Sequence, residues 1–298
     1  MKVGFIGIGN MGRLMANHIF EAGYNLYVHD IRKEAAQFLV DKGATWTDTP
    51  MAIARNCEVI LLSLPGPHDV EEVVLGKNGL SSGWKKGDIC IDMSTNSPTT
   101  IRKIAKKASE FGVEMLDAPV SGGMPGAEAG TLTIMVGGKA EALEKVRSIL
   151  QTMGKNIFHV GDSGCGDIAK LVNNTISISC TTLNAEAFVL GVKAGVDPST
   201  LLEILKVSTG FNKALEQYPR SVLKGDFGPH FKLSLACKDI RLALELAKEY
   251  GIELPVVDGA CSKQLFKAEA DGFGENDHQA VIFQLEKAAG VQVRAKKQ

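Results

Sequence analysis

Lys170 and Asn174 are the pair in this 298-residue chain whose types and spacing fit chemistry most directly. A separation of i, i+4 stacks them one turn apart on one face of a helix, and Ser177 and Thr181 continue that face. An amine so placed can take a proton from an alcohol or return it to a carbonyl, and its ammonium form stabilises a developing alkoxide. An amide one turn further on can donate to a hydroxyl or a carboxylate. In an arbitrary helix the same pair is a solvated face. Here Gly161, Gly164 and Gly166 precede it and allow close backbone approach at a helix N-terminus, where unpaired N–H groups favour an anionic ligand, either substrate or cofactor.

The helix that must carry the pair is legible. From Asp167 to Ala194 only Gly191 interrupts, and Ile168, Leu171, Ile176, Leu183, Ala187 and Leu190 recur at helical spacing. At about 1.5 Å per residue it spans roughly 40 Å, the width of a domain.

A second constellation opens the chain. Lys2 to Ile8 reads as a strand, G-I-G-N-M-G follows at once, and Met11 to Ala22 has a helical pattern closed by Gly23. Gly7, Gly9 and Gly12 fit G-x-G-x-x-G, with Asn10 and Met11 inside it: the first glycine for the tight turn, the second for pyrophosphate approach, the third for helix–strand packing. Asn25 to His29 is the next strand and ends in Asp30, where an acid can accept from an adenosine ribose hydroxyl. A kinase glycine loop uses a similar pattern, but no V-A-I-K, H-R-D or D-F-G follows. Asp30 repels a 2′-phosphate and favours NAD, whereas Arg32 can pair with that phosphate, so NADP stays open.

Strand and helix signals then alternate as a doubly wound sheet requires. Lys33 to Lys42 suits a helix, Ala44 to Trp46 a short strand, and Thr49-Pro50 a capped helix start. Val59 to Leu64 is apolar enough for a strand buried on both faces, and ligands lie beyond the carboxyl ends of such strands, which places Leu64 and Pro65 near the cofactor. Ile89 to Asp92 is another strand; the Ser94-Thr95 that follows is either turn and cap chemistry or a nicotinamide or ribose contact. Glu114 to Ala118 and Thr131 to Val136 are further strands, separated by the glycine-rich DAPVSGGMPGAEAGT. That loop is either a flexible hairpin connection or, through Ser121, Gly122 and Gly123, a cradle for a substrate carboxylate. Lys139 to Met153 is amphipathic, and Asn156 to Val160 ends the first part.

Beyond Asp197-Pro198 the pattern is helical: Ser199 to Val207, Lys238 to Tyr250, Val256 to Glu269 and Ala280 to Gly290, with no strand-length β-branched run. The expectation is an α/β Rossmann domain with a doubly wound, mostly parallel sheet over residues 1–163, then an interdomain helix of about 164–195 leading to an all-α domain that ends at 298, with a cleft between the two domains.

Composition bounds the function classes. A net charge of -1 with 22% charged and 45% hydrophobic residues is an ordinary globular balance, with no polybasic segment for nucleic acid or a membrane surface. Only Arg294 to Lys297 forms a basic tail, expected to be disordered. The opening MKVGFIG faintly resembles a secretory signal, but glycines break it and no apolar run approaches the ~20 residues of a spanning helix, so a cytoplasmic protein is expected. Six cysteines without a C-x-x-C pair predict neither disulfides nor structural zinc, and six histidines without ligand spacing predict no metal.

Four motifs together resemble the β-hydroxyacid dehydrogenase family, that of 3-hydroxyisobutyrate dehydrogenase and tartronate semialdehyde reductase. They are GFIGIGNMGRLMANHI (4–19), DAPVSGGMPGAEAGTLTIMVGG (117–138), GCGDIAKLVNN (164–174) and CKDIRLALELA (237–247). The resemblance implies an NAD(P)-dependent enzyme acting on a small β-hydroxyacid or its semialdehyde, as a homodimer or homotetramer. It implies Lys170 as the catalytic lysine and Asn174 as its helical partner, Ser121, Gly122 and Gly123 on the substrate carboxylate, and Thr95 and Lys238 near the cofactor and active centre. Lys238 as a second cation would also help lower the pKa of Lys170. Residues 210–231 carry no signature. Tartronate or succinic semialdehyde reductases, an imine reductase on the same scaffold and a cofactor-binding sensor without turnover are the competing readings; Lys170 speaks against the imine reductase, and the pair of Lys170 and Asn174 against the sensor.

Overall fold

The computed structural model describes residues 1–296. It consists of two compact units, Met1–Lys170 and Leu171–Gln298.

In the first unit the strands are β1 (Lys2–Ile6), β2 (Asn25–His29), β3 (Thr45–Trp46), β4 (Val59–Leu62), β5 (Ile89–Asp92), β6 (Glu114–Asp117), β7 (Val120–Ser121), β8 (Leu132–Gly137) and β9 (Gly154–Gly161). They form one sheet in the order β3-β2-β1-β4-β5-β6-β8-β7, with β9 also paired to β8. The run from β3 to β6 is parallel, β8 is antiparallel to β6 and β7, and β9 returns parallel to β8. The short β7 is the element that the glycine-rich loop conceals: Ser121 pairs with Thr133, and a one-turn helix follows immediately.

Side chains alternate across the central strands. Val3, Phe5, Val59, Leu61, Ile89 and Ile91 join one core with helices α1 (Gly12–Glu21) and α2 (Lys33–Lys42). Ile6, Ile60, Leu62 and Cys90 join the other with α3 (Pro50–Asn56), α4 (Pro67–Leu75) and α5 (Pro98–Glu110). With both faces covered, every residue of β4 and β5 is buried, as expected of the run from Val59, although its last two residues, Ser63 and Leu64, leave the strand half-buried. Each large side chain so buried contributes about 1.5–3 kcal/mol. Helices α6 (Gly123–Glu128) and α7 (Ala140–Leu150) complete the unit.

Helix α8 (Cys165–Lys193) starts in the first unit and continues through the second, crossing the 170/171 boundary rather than starting after one at 163. Its first turn packs on strand backbone: a Cβ at Gly166 would meet the carbonyl oxygens of Met135 and Asp117 at 2.4 and 2.6 Å. Helix α8 is long and apolar enough to cross a membrane, with mean hydropathy 1.3 over its best window, contrary to the sequence expectation. Yet Asp167, Asn174, Thr181, Thr182 and Asn184 along it are buried polar residues that hydrogen-bond within the protein.

The second unit is helical: α9 (Pro198–Lys206), α10 (Leu233–Glu249), α11 (Ser262–Ala268) and α12 (Ile282–Ala289), with short 3-10 and π turns between them. Its core gathers Ile178, Ala185 and Phe188 of α8 with Tyr218, Leu233, Ile240 and Leu265. Of the apolar series read from the sequence, Leu171 is buried, whereas Ile176, Leu183 and Leu190 are 63%, 60% and 71% exposed. Helix α8 thus has two apolar stripes, and the unit uses one. The basic tail also departs from expectation: Arg294 bonds Glu286 at 2.6 Å and the Ala295 N–H reaches the Leu223 carbonyl, so both are anchored. Lys297 lies outside the described residues.

Candidate functional site

The three glycines after β1 have different tasks. Gly7 has φ +91, and a Cβ there would sit 2.2 Å from the Ser63 carbonyl oxygen; at Gly12 it would sit 1.8 Å from the Gly7 carbonyl oxygen. Neither position can accept a side chain without moving backbone. At Gly9 a Cβ would meet nothing within 4 Å, so this glycine leaves an open approach to backbone in front of α1. That is the cradle a pyrophosphate requires, and the residues fit NAD(P). Asn10 is exposed and Met11 half-buried beside it.

Asp30 ends β2 with both carboxylate oxygens held, one by the Ile8 N–H at 2.7 Å and the other by the Arg32 N–H at 2.9 Å. The two bonds fix its direction and leave lone pairs for a ribose hydroxyl. Arg32 is exposed, and here its backbone serves Asp30. Leu64, Pro65 and Thr95 lie just beyond the carboxyl ends of β4 and β5. The Leu64 N–H donates to Ser94 Oγ at 2.9 Å, lacing the two loops together. Ser94 therefore does loop chemistry, and Thr95 beside it is half-buried.

Behind these loops is a buried polar chain that sequence reasoning missed. Asp92, Asn96, Asp117 and Asp167 are all fully buried. Asp92 accepts from the Ser94 N–H at 3.0 Å and from Asn96 Nδ2 at 2.8 Å, and the Asn96 N–H donates to Asp167 Oδ1 at 2.8 Å. Asp117 accepts from the N–H groups of Gly164 at 2.8 Å and Asp167 at 3.0 Å. The orphan donors at the N-terminus of α8 are thereby taken by the protein's own carboxylate, which corrects the expectation that they await an anionic ligand. Burial pushes the Asp117 carboxyl above the usual range, and the surrounding N–H groups of Gly164, Asp167 and Gly166 draw it part of the way back. The sequence signal was present: an aspartate closes each of the apolar strands ICID and EMLD, where its charge must be satisfied locally.

Ser121 is half-buried on β7, and Gly122 and Gly123 both have positive φ, 131 and 60, at an exposed turn. L residues rarely adopt this conformation, which glycine takes without strain. Lys170, half-buried, is the last residue of the first unit.

In the second unit Asn174 is buried and donates through Nδ2 to Asp239 Oδ2 at 2.6 Å, while its own Oδ1 accepts from Asn173 at 3.0 Å. Lys238 reaches the other oxygen of Asp239 at 3.1 Å. The adjacent pair is an ion pair, as adjacency alone suggests, but a largely buried one: Asp239 side chain is 2% exposed and Lys238 23%. Asp239 was not assigned a role from sequence. It fixes the rotamer of Asn174 and offsets the charge of Lys238, which removes most of the basis for Lys238 as an uncompensated second cation. The loop 227–232, at the end of the undeciphered 210–231 segment, is held by Asp277, which accepts from the Phe231 N–H at 3.2 Å and from the Gln279 N–H at 3.1 Å and donates its own N–H to the Phe227 carbonyl at 3.0 Å. Among the described residues no group of three or more His, Cys, Asp or Glu could hold a metal, and all six cysteines are free thiols.

A doubly wound sheet with an open glycine cradle and an oriented acid defines an NAD(P)-dependent oxidoreductase. Residues 2–161 match the family described as the NAD binding domain of 6-phosphogluconate dehydrogenase, and residues 164–285 that described as the NAD-binding domain of NADP-dependent 3-hydroxyisobutyrate dehydrogenase. The chain is 42% identical to 2-(hydroxymethyl)glutarate dehydrogenase of Eubacterium barkeri, covering 98% of this chain and 97% of that one. It is 39% identical to 3-hydroxyisobutyrate dehydrogenase of Pseudomonas aeruginosa, covering 92% and 94%. Among solved structures it is similar to Mycobacterium tuberculosis 3-hydroxyisobutyrate dehydrogenase with L-serine, with TM-score 0.86 and 30% identity over 95% of this chain and 98% of that one. The chain belongs to the β-hydroxyacid dehydrogenase family, as a hydroxyacid oxidoreductase that uses NAD(P) and acts on a CH–OH group.

Proposed function

We propose that this enzyme interconverts a small β-hydroxyacid of the 3-hydroxyisobutyrate type and its semialdehyde, with NAD preferred and Lys170 as general acid and base. NAD(P), when bound, supplies or accepts the hydride. Lys170 takes the hydroxyl proton during oxidation and returns it during reduction, its ammonium form stabilising the alkoxide between. Asn174 presents its second amide N–H to the reacting oxygen or the carboxylate. Ser121 with the Gly122 and Gly123 backbone holds that carboxylate, Asp30 the adenosine ribose, Leu64, Pro65 and Thr95 the nicotinamide side, and Lys238 the active centre beside Asp239.

The observation that carries this reading is the anchoring of Asn174. One turn beyond Lys170 stands an amide clamped by a buried carboxylate at 2.6 Å, whereas an amide on a solvated face needs no such clamp. The acids named in the relatives, 3-hydroxyisobutyrate and 2-(hydroxymethyl)glutarate, support a hydroxyl next to a carboxylate-bearing carbon. Asp30 supports NAD by repelling a 2′-phosphate. The exposed stripe of α8 supports a homo-oligomer: Val172, Ile176, Leu183 and Leu190 recur nearly every 3.5 residues, the spacing of a helix–helix seam, and remain open to solvent. A cytoplasmic setting belongs to the same reading, supported by six cysteines that stand as free thiols.

A spectrophotometric panel tests the function: 3-hydroxyisobutyrate, 2-(hydroxymethyl)glutarate, tartronate semialdehyde, succinic semialdehyde and cyclic imines, each with both cofactors. Turnover of a hydroxyacid or semialdehyde, faster with NAD, is the expected result. Turnover of imines alone would make the enzyme an imine reductase, and tight NADH binding without turnover across the panel would make it a sensor. Lys170→Ala should bind cofactor normally and turn over at least ~10²-fold more slowly.

A further inference from the structure

We propose that Asp167 and Asn96 are positioning residues that tie the turn of α8 bearing Lys170 to the loop bearing Thr95, so that the proton donor and the cofactor side of the site move as one body. This rests on the reading of Lys170 as the general acid and base.

The tie is a continuous run of hydrogen bonds in which Asp92, Asn96 and Asp167 are fully buried. The Leu64 N–H donates to Ser94 Oγ at 2.9 Å, the Ser94 N–H to Asp92 Oδ1 at 3.0 Å, Asn96 Nδ2 to Asp92 Oδ2 at 2.8 Å, and the Asn96 N–H to Asp167 Oδ1 at 2.8 Å. Asn96 also accepts from the Ser97 N–H at 2.7 Å, which closes the loop on itself. Asp167 and Lys170 are i, i+3 on α8, one turn apart on one face. Two further contacts deny the helix an axial shift. Asp117 accepts the N–H groups of Gly164 and Asp167, and Gly166 has no room for even a Cβ against the backbone of Met135 and Asp117.

Asp117 already accepts from N–H groups at this helix start, so Asp167 is not needed there as a cap. Asp167 does something else: it reaches out of the helix for the backbone of a loop 71 residues away in sequence. The network buries three carboxylates, those of Asp92, Asp117 and Asp167, and an apolar contact would hold a helix against a sheet at less cost. What directional bonds add is distance and rotation. A displacement near 1 Å between reacting groups can cost ~10²-fold in rate, and a lysine on the next turn inherits any roll of its helix.

The test is a double-mutant cycle on Asp167→Ala and Lys170→Ala, reading kcat, KM and NADH dissociation constant with the best substrate of the panel. Asp167→Ala is expected to lower kcat at least about 10-fold while KM and NADH affinity stay within about threefold, the pattern of a lost transition-state alignment. Asp167→Asn, which keeps an acceptor for the Asn96 N–H, should recover kcat to within about threefold of wild type. The double variant should be no slower than Lys170→Ala alone, since Asp167 acts through the lysine. A slow Lys170→Ala beside a normal Asp167→Ala would overturn the tie and leave the lysine's role standing. So would two losses that multiply. A Lys170→Ala enzyme at wild-type rate would refute the lysine's role itself, and with it the tie. Should Asp167→Ala fail to fold, Asn96→Ala tests the loop end of the tie: it removes the side-chain bonds to Asp92 and Ser97 and keeps the Asn96 N–H on Asp167. It should lower kcat by about threefold or more with KM and NADH affinity unchanged, whereas a normal kcat would overturn the positioning role.

Discussion

Gly7, Gly9 and Gly12 look equivalent as a motif and are not equivalent as atoms. A methyl at Gly12 collides with the Gly7 carbonyl oxygen at 1.8 Å, whereas one at Gly9 points into open space. Gly12→Ala is therefore expected to destabilise the fold by about 1–3 kcal/mol, the range for overpacking. Gly9→Ala should leave the unfolding temperature nearly unchanged and still weaken NADH binding by about 10-fold or more, roughly 1.4 kcal/mol. Thermal unfolding and fluorescence titration of the two variants separate the effects. Equal loss of stability would show that Gly9 packs rather than opens the cradle. At this scale the sequence supplied residue types and candidate roles, from Asp30 to Lys170. It marked Asp92 and Asp117 as acids closing buried strands but not their partners, and was silent on Asn96, Asp167 and Asp239, because the partner of a buried polar group is chosen by atoms far along the chain.

At the scale of elements, the loop 227–232 shows how one buried acid replaces a secondary-structure ladder. Burial alone pushes Asp277 up, but the hydrogen bond and charge of His278 and the N–H groups of Gln279 and Phe231 outweigh it, so its carboxyl lies below 3.8. A depressed native value means that the ionised form favours the fold. That stability is complete above 3.8 and is lost as pH falls through the lowered value. Asp277→Asn should cost about 1–3 kcal/mol at neutral pH, as expected when a buried bonded charge is removed. The gap from wild type should narrow below pH 4 in acid unfolding followed by circular dichroism; a constant gap would mean the carboxylate's charge is not what braces the loop. Strand alternation, the α8 helix and the N-cap at Thr49, which accepts from the Ala52 N–H at 3.1 Å, were legible because they are local. The two-residue β7 was not, since its pairing with β8 depends on register rather than on its own residues.

At the scale of the whole molecule, the unused stripe of α8 is the feature with consequences. Replacing Leu183 and Leu190 together with Glu alters residues that are 60% and 71% exposed, so the fold itself should persist. If a second copy covers this face, light scattering should show wild type as an oligomer and the double variant shifted to monomer, because two buried charges across a symmetric seam meet their own copies. An unchanged mass would place the interface elsewhere.

The sequence alone determined the class of fold and the class of chemistry. The glycine motif, the alternating strands and the helical second half each arise from interactions between near neighbours, and periodicity records them. Only the tertiary structure decided what Lys170 stands on. Asp117 caps its helix, Asp167 ties that helix to the loop of Thr95, and Asp239 turns Asn174. Those pairings join residues 50, 71 and 65 positions apart. The direction of a hydrogen bond at such separations is set by packing of the whole chain, and no local pattern encodes it.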